Sequence, residues 1–356
     1  MKRFFRKLFS KVTLILLICI LAILAFFFWG WIEKQALKAK GMYLIYKGDQ
    51  AYSQDNMAKT LEYYQEGLRL YPEHYEAWFN LGNIYTVYED YFSAVNAYEN
   101  AIKHNPKFVM ARMNLGIVYS EDLGFFDEAI EQFDTVTDIR LLKLWIPFVY
   151  SNVKSVRTNR GLAYYNKGVA YKQKAMYLPL DKRHLVYTYL GEAIEAYTNA
   201  LKFIKNSYDV RYNKAVAHHL RGEYRDAGLE YCRAIQLEPM KFEAHYNLAV
   251  LLRQLNRKKD SINELHKAAI LILEEPSSTT LESTYIFNLL NDATRKFITS
   301  DEYYTEKMTD EPLGNIGYTY VNGRIVADEE LDKAILKNFK TCSGLDYFKE
   351  YNEETW

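Results

Sequence analysis

Between Tyr75 and Phe108, large and small residues alternate on a schedule that suits a pair of packed helices. Counting Tyr75 as position 1 of a 34-residue unit, large side chains stand at 4, 7 and 11 (Trp78, Leu81, Tyr85) and small ones at 8, 20 and 27 (Gly82, Ala94, Ala101). An aromatic residue falls at 24 (Tyr98) and proline at 32 (Pro106). The large residues recur at helical spacing, and the small ones allow a second helix to approach closely. One such helix–turn–helix cannot bury its own apolar face, so copies must flank it.

The same frame fits residues 41–74, with Gly48, Tyr64, Gly67 and Pro72 in register and Thr60 at position 20. It fits 208–241 through Ala215, Ala227, Tyr231, Ala234 and Pro239, and 242–275 through Leu248, Ala249, Leu252, Ser261, Leu265 and Ala268. Residues 109–139 keep Leu115, Gly116 and Tyr119 but set Ala129 and Phe133 one residue late. From 161 the frame returns with Tyr164, Gly168 and Tyr171, and thirteen residues are inserted around 172–189 before Ala193, Tyr197 and Ala200. That makes about six units, over 41–139 and 161–275. Insertions in such arrays map to loops on one face, often a binding face.

The pattern resembles the tetratricopeptide repeat (TPR). The resemblance implies an all-α solenoid of stacked helical hairpins in which positions 2, 5, 6, 9, 12 and 13 of each first helix line a concave surface. Position 6 reads Tyr46, Asn80, Asn114, Asn166, Asn213 and Asn247, and position 5 reads Ile45, Phe79, Met113, Tyr165, Tyr212 and Tyr246. A side-chain amide both donates and accepts. Five asparagines are therefore expected to hold an extended peptide by its main chain while the neighbouring column takes its side chains. Asparagine at position 6 is also common across the family, so ancestry accounts for the same column. Position 5 carries no charge, which argues against a clamp for a C-terminal carboxylate.

Residues 140–160 break the register with an apolar stretch that includes Trp145 and Phe148. It is too short to span a bilayer, and is expected either as an extra buried helix or as an exposed docking patch. Beyond Pro276 the frame ends. Thr279-Thr280-Leu281-Glu282 reads as a capping box, and Leu281, Tyr285, Leu289, Ala293 and Phe297 recur at helical spacing. Residues 276–356 are expected to form a helical cap over the last repeat, with a small β-hairpin around Asn322-Gly323.

The N-terminus has a different character. Residues 1–11 carry Lys2, Arg3, Arg6, Lys7 and Lys11, and residues 12–32 hold no charge. Rising ~1.5 Å each, these 21 residues reach ~31 Å, about the thickness of the hydrocarbon core. Trp29 and Trp31 stand where an interfacial belt would lie, and the bulky run Phe26-Phe27-Phe28-Trp29 offers no small-residue cleavage site. An uncleaved transmembrane anchor is expected. The basic tail favours an N-terminus in the cytoplasm with the repeats outside, so that in a double-membrane bacterium an inner-membrane protein facing the periplasm is expected.

Lysine plus arginine and aspartate plus glutamate number 45 each, so no net field attracts nucleic acid. Cys19, Cys232 and Cys342 form no paired motif, and the seven histidines have no metal-ligand spacing. His218 and His245 fall on seam positions, as packing residues would. Phosphate-binding and nucleophile motifs are missing from the sequence, and no cofactor is expected. Recognition of a protein or extended peptide, without catalysis, is the expected role, with the bilayer as a second partner and the oligomeric state open. The resemblance implies scaffolding of an envelope complex such as a flagellar motor, secretion or cell-wall machinery. The alternative is an accessory subunit that brings a protein substrate to a membrane enzyme.

Overall fold

The computed structural model describes residues 2–138 and 150–274, the single positions Ile286 and Leu289, and residues 318–321 and 324–327. The chain divides into two compact units, residues 1–123 and 124–356. The first contains α1 (Lys2–Ser53), α2 (Met57–Leu70), α3 (Tyr75–Val87), α4 (Tyr91–His104) and α5 (Val109–Ile117), which runs into a π-helical turn at Val118–Asp122. The second contains α6 (Phe126–Thr137), α7 (Tyr150–Met176), α8 (Val186–Phe203), α9 (Tyr208–Leu220), α10 (Tyr224–Leu237), α11 (Phe242–Gln254) and α12 (Lys258–Glu274). In the first unit α1 packs on α2, α3 on α4, and α4 on α5. In the second the pairs are α6–α7, α7–α8, α9–α10 and α11–α12.

Three contacts that recur on the repeat frame explain why these residues make hairpins. Position 8 lies under the ring at position 24. A Cβ on Gly82 would sit 2.6 Å from Tyr98 Cε1, and one on Gly168 would sit 2.6 Å from Tyr197 Cε1. No side chain fits there without displacing the tyrosine. Position 15, at the turn between the two helices, is left-handed in four units: Asp55 (φ 57°), Glu89 (φ 58°), Gly222 (φ 79°) and Asn256 (φ 57°). Position 4 hydrogen-bonds the carbonyl of the proline that closes the preceding unit. Trp78 Nε1–H donates to Pro72 O at 2.8 Å and Arg112 Nε–H to Pro106 O at 3.0 Å, while His245 Nε2 lies 3.0 Å from Pro239 O. Three unlike side chains thus satisfy the same backbone oxygen.

Departures from the frame have local causes. The extra residue in the third unit coincides with the π-helical turn, which accommodates one additional residue without ending the helix. The boundary between the compact units falls just after this turn, between Leu123 and Gly124, so α5 belongs to one unit and α6, paired with α7, to the other. Of the apolar insert, residues 150–160 form the first turns of the 27-residue α7. Trp145 and Phe148 lie outside the described residues. The thirteen-residue insertion is taken up by a 3₁₀ turn at Leu180–Leu185 and by an 18-residue α8, against 14 residues in α2, α4 and α10.

Beyond α12, Ile286 and Leu289 are helical and pack on Ala249, Ile262, Leu265, Ala269 and Ile272 of the last repeat. Strands β1 (Tyr318–Val321) and β2 (Arg324–Ala327) pair antiparallel, with Tyr320 opposite Ile325. The Asn322-Gly323 turn and the rest of the expected cap lie outside the described residues. Helix α1 is continuous from Lys2 to Ser53, so the first helix of repeat 1 is its C-terminal part. Among the described residues no helix is long and apolar enough to cross a membrane. Within residues 1–25, the only side chains described are those of Leu16, Cys19, Ile20 and Ile23.

Candidate binding clefts

In the first unit, the first helices of repeats 1 and 2 enclose a cleft of about 450 Å³. Its lining includes Asp49, Tyr52, Asn80, Asn83 and Val87, which are frame positions 9, 12, 6, 9 and 13. Buried tyrosines from the second helices support this polar floor. Tyr64, only 2% exposed, donates its hydroxyl to Asp49 Oδ1 and accepts from Asn80 Nδ2 at 3.4 Å. Tyr98 donates to Asn83 Oδ1 at 2.8 Å, and the same oxygen accepts from Asn114 Nδ2 at 2.8 Å. Burial raises the hydroxyl pKa of both tyrosines, and at Tyr64 the bond to Asp49 raises it further. Both therefore remain neutral donors across the physiological range.

The second unit repeats the theme with other partners. Asn213 Nδ2 donates to Tyr165 Oη at 3.3 Å and to the Asp209 carbonyl at 2.9 Å, and its Oδ1 accepts from Lys172 Nζ at 2.6 Å. Asn247 Nδ2 donates to Tyr212 Oη at 2.7 Å. Asn166 is half-buried. Burial lowers the Lys172 pKa, because the ammonium is partly withdrawn from water.

The expected asparagine column is therefore used largely for stacking. Asn80, Asn114, Asn213 and Asn247 each give their amide to a residue of the preceding repeat. The neighbouring aromatic column also packs inward. Phe79 lies 5.1 Å from the Phe108 ring and 6.0 Å from Tyr98, and Met113 is buried. Tyr165 meets Tyr197 at 6.1 Å, Tyr212 stacks on Tyr208 at 5.7 Å, and Tyr246 packs on the cluster around Leu265. Positions 5 and 6 did not reveal Asp49, Asn83, Tyr52 and Val87. A signal for Asp49 and Asn83 existed at position 9, which is polar only in repeats 1 and 2 and apolar in the other four (Ile117, Val169, Val216, Val250).

The seam histidines are packed. His218 Nδ1 lies 2.6 Å from Glu223, and His245, with no exposed surface, lies 2.7 Å from Glu264. Among the described residues no group of three His, Cys, Asp or Glu side chains could hold a metal ion.

Tetratricopeptide repeat models match residues 75–108 and 47–87. The chain carries tetratricopeptide repeats. It is 23% identical over 267 residues to the TPR repeat-containing protein MJ1428 of Methanocaldococcus jannaschii, covering 69% of this chain and 42% of that protein. Over 88 residues it is 33% identical to the photosystem I assembly protein Ycf3 of Prochlorococcus marinus, covering 24% of this chain and 51% of the relative. The chain thus spans about half or less of the length of these relatives. A tetratricopeptide repeat protein from Parabacteroides merdae superposes with a TM-score of 0.51 at 16% identity, over 85% of this chain and all of that one. The pilus biogenesis factor PilW superposes at 0.50 with 14% identity, over 69% of this chain and 98% of its own. These likenesses establish the helical-repeat fold.

Proposed function

We propose that this protein is a membrane-anchored repeat scaffold that binds a polypeptide partner through the concave side of its first helices and assembles an envelope complex. The observation that carries the reading is the cleft between repeats 1 and 2. It combines a hydrogen-bonding floor at Asn80 and Asn83 with an apolar wall at Val87, which is 81% exposed. Clefts of this size with a few fixed polar groups are suited to ligand recognition. Anchoring is supported by the uncharged run at 12–32 and by the outward exposure on α1 of Ile20, Ile23, Phe26, Phe27, Trp29 and Trp31. The basic tail supports a cytoplasmic N-terminus with the repeats on the opposite side. Because α1 continues into the first repeat, an anchor in this position would hold the cleft close to the bilayer. The relative Ycf3 is named for an assembly role, which accords with a scaffold.

A photoreactive phenylalanine at Val87 in the full chain, expressed in cells, tests the reading. It is expected to crosslink to one abundant partner, whereas the same probe at exposed Phe92 on α4 is not. Equal labelling from the two positions would remove the cleft from the reading. Labelling of single engineered cysteines by an impermeant reagent reports the topology; cytoplasmic repeats would overturn the proposed orientation.

A further inference from the structure

The cleft in the first unit has a charge character that the binding reading leaves unused. Two of its lining residues, Asp49 and Asp55, are carboxylates, and none is basic. The hydrogen-bond partner of Asp49 is the neutral hydroxyl of Tyr64, so no cation of the cleft matches its charge. Both aspartates are exposed, and they stand beside apolar surface. Val87 is 81% exposed, and Tyr52 and Tyr88 are each 54% exposed. Such a lining suits a side chain with an aliphatic stem and a cationic head. The stem can lie along Val87 while the head reaches a carboxylate or a tyrosine face.

We infer that this cleft selects extended segments presenting a lysine or arginine beside an apolar residue. The inference rests on the reading of the cleft as a binding site and adds the chemical class of what it binds. A volume of about 450 Å³ has room for a long basic side chain and a neighbour. The work is divided: Asn80 Oδ1 and Asn83 Nδ2, the amide atoms not taken up by Tyr64, Tyr98 and Asn114, serve the main chain, and Asp49 and Asp55 set the charge preference.

Selection of a randomised decapeptide library against the full chain in detergent micelles tests this. The expected result is enrichment of lysine and arginine adjacent to apolar residues. The selected peptides should bind about tenfold more weakly to the Asp49→Asn/Asp55→Asn double variant. Asparagine at 49 can still accept from Tyr64, so folding is preserved, as circular dichroism will check. Val87→Glu should tighten binding and Val87→Arg weaken it. Peptides weakened equally by both Val87 substitutions, without basic enrichment, would overturn the charge preference and leave the cleft as a binding site. A library yielding no peptide sensitive to either substitution would overturn both.

Discussion

Repeat 2 in the first unit and repeats 5 and 6 in the second solve one packing problem with opposite chemistry. Positions 4 and 23 face each other across the hairpin. In repeat 2 they are Trp78 and Ala97, a large and a small apolar residue within one cluster. In repeat 5 they are Arg211 and Glu230, paired at 3.0 Å, and in repeat 6 His245 and Glu264, at 2.7 Å. Glu230 is further surrounded by Lys214 and Arg233, and Glu264 by Lys267. Burial alone would raise both carboxyls, but Lys214, Arg233 and Arg211 hold Glu230 below the usual carboxylate range, and the His245 hydrogen bond together with Lys267 does the same for Glu264. The comparison teaches that the frame decides which positions meet and how much volume they share. It leaves open whether hydrophobic burial or a desolvated ion pair fills that volume.

The strongest test exchanges the two solutions. Glu264→Ala leaves His245 and Lys267 without their buried carboxylate and is expected to cost about 3–5 kcal/mol in urea unfolding. Adding His245→Trp transplants the repeat 2 pair and should recover most of that loss. A double variant no more stable than Glu264→Ala alone would show that the positions are not equivalent.

Acid should separate the two units next. His266, 3% exposed, has its pKa lowered by burial from 6.5 to about 4. Its folded value lies below its unfolded one, so the stability it confers is complete above pH 6.5 and falls away toward pH 4, by about 3 kcal/mol. The lowered carboxyls of Glu230 and Glu264 act in the same sense, with their contribution lost below the ordinary carboxyl value of 4.5. In the first unit Glu121 is shifted upward, mainly by burial and then by Asp122, so its protonation relieves the fold. Hydrogen exchange corrected for intrinsic rates should show residues 208–274 opening before 57–117 as pH falls from 7 to 4. Simultaneous opening would erase the contrast, and His266→Phe should flatten the profile between 6.5 and 4.

The smallest test concerns the tyrosine at position 24. Tyr98 hydrogen-bonds Asn83 at position 9, whereas in repeat 4 that position is Val169 and the buried Tyr197 hydroxyl has no hydrogen-bond partner among the described residues. Tyr98→Phe should cost about 1 kcal/mol, and Tyr197→Phe should be neutral or stabilising by up to about 1 kcal/mol. Equal losses in thermal unfolding would mean that the hydroxyls do not distinguish the repeats.

Much of this architecture was legible in the sequence. Gly82, Ala94, Tyr98, Ala101 and Pro106 at fixed offsets determine a hairpin, because close approach at small residues and filling by large ones are local demands that leave a residue-type signature. The same signature placed the frame shift between Tyr119 and Ala129 and the lengthening around 172–189. It did not reveal the division of the third repeat between two units, since packing partners are chosen across the chain. Nor did it show that Asn80, Asn114, Asn213 and Asn247 spend their amides on the preceding repeat, because an amide donates as readily to a tyrosine hydroxyl as to a bound peptide. Only the tertiary structure decided that Asp49 faces a cleft while Glu264, with the same charge, is sealed beside His245. Charge is written in the sequence, but access to water depends on which surfaces the folded chain brings together.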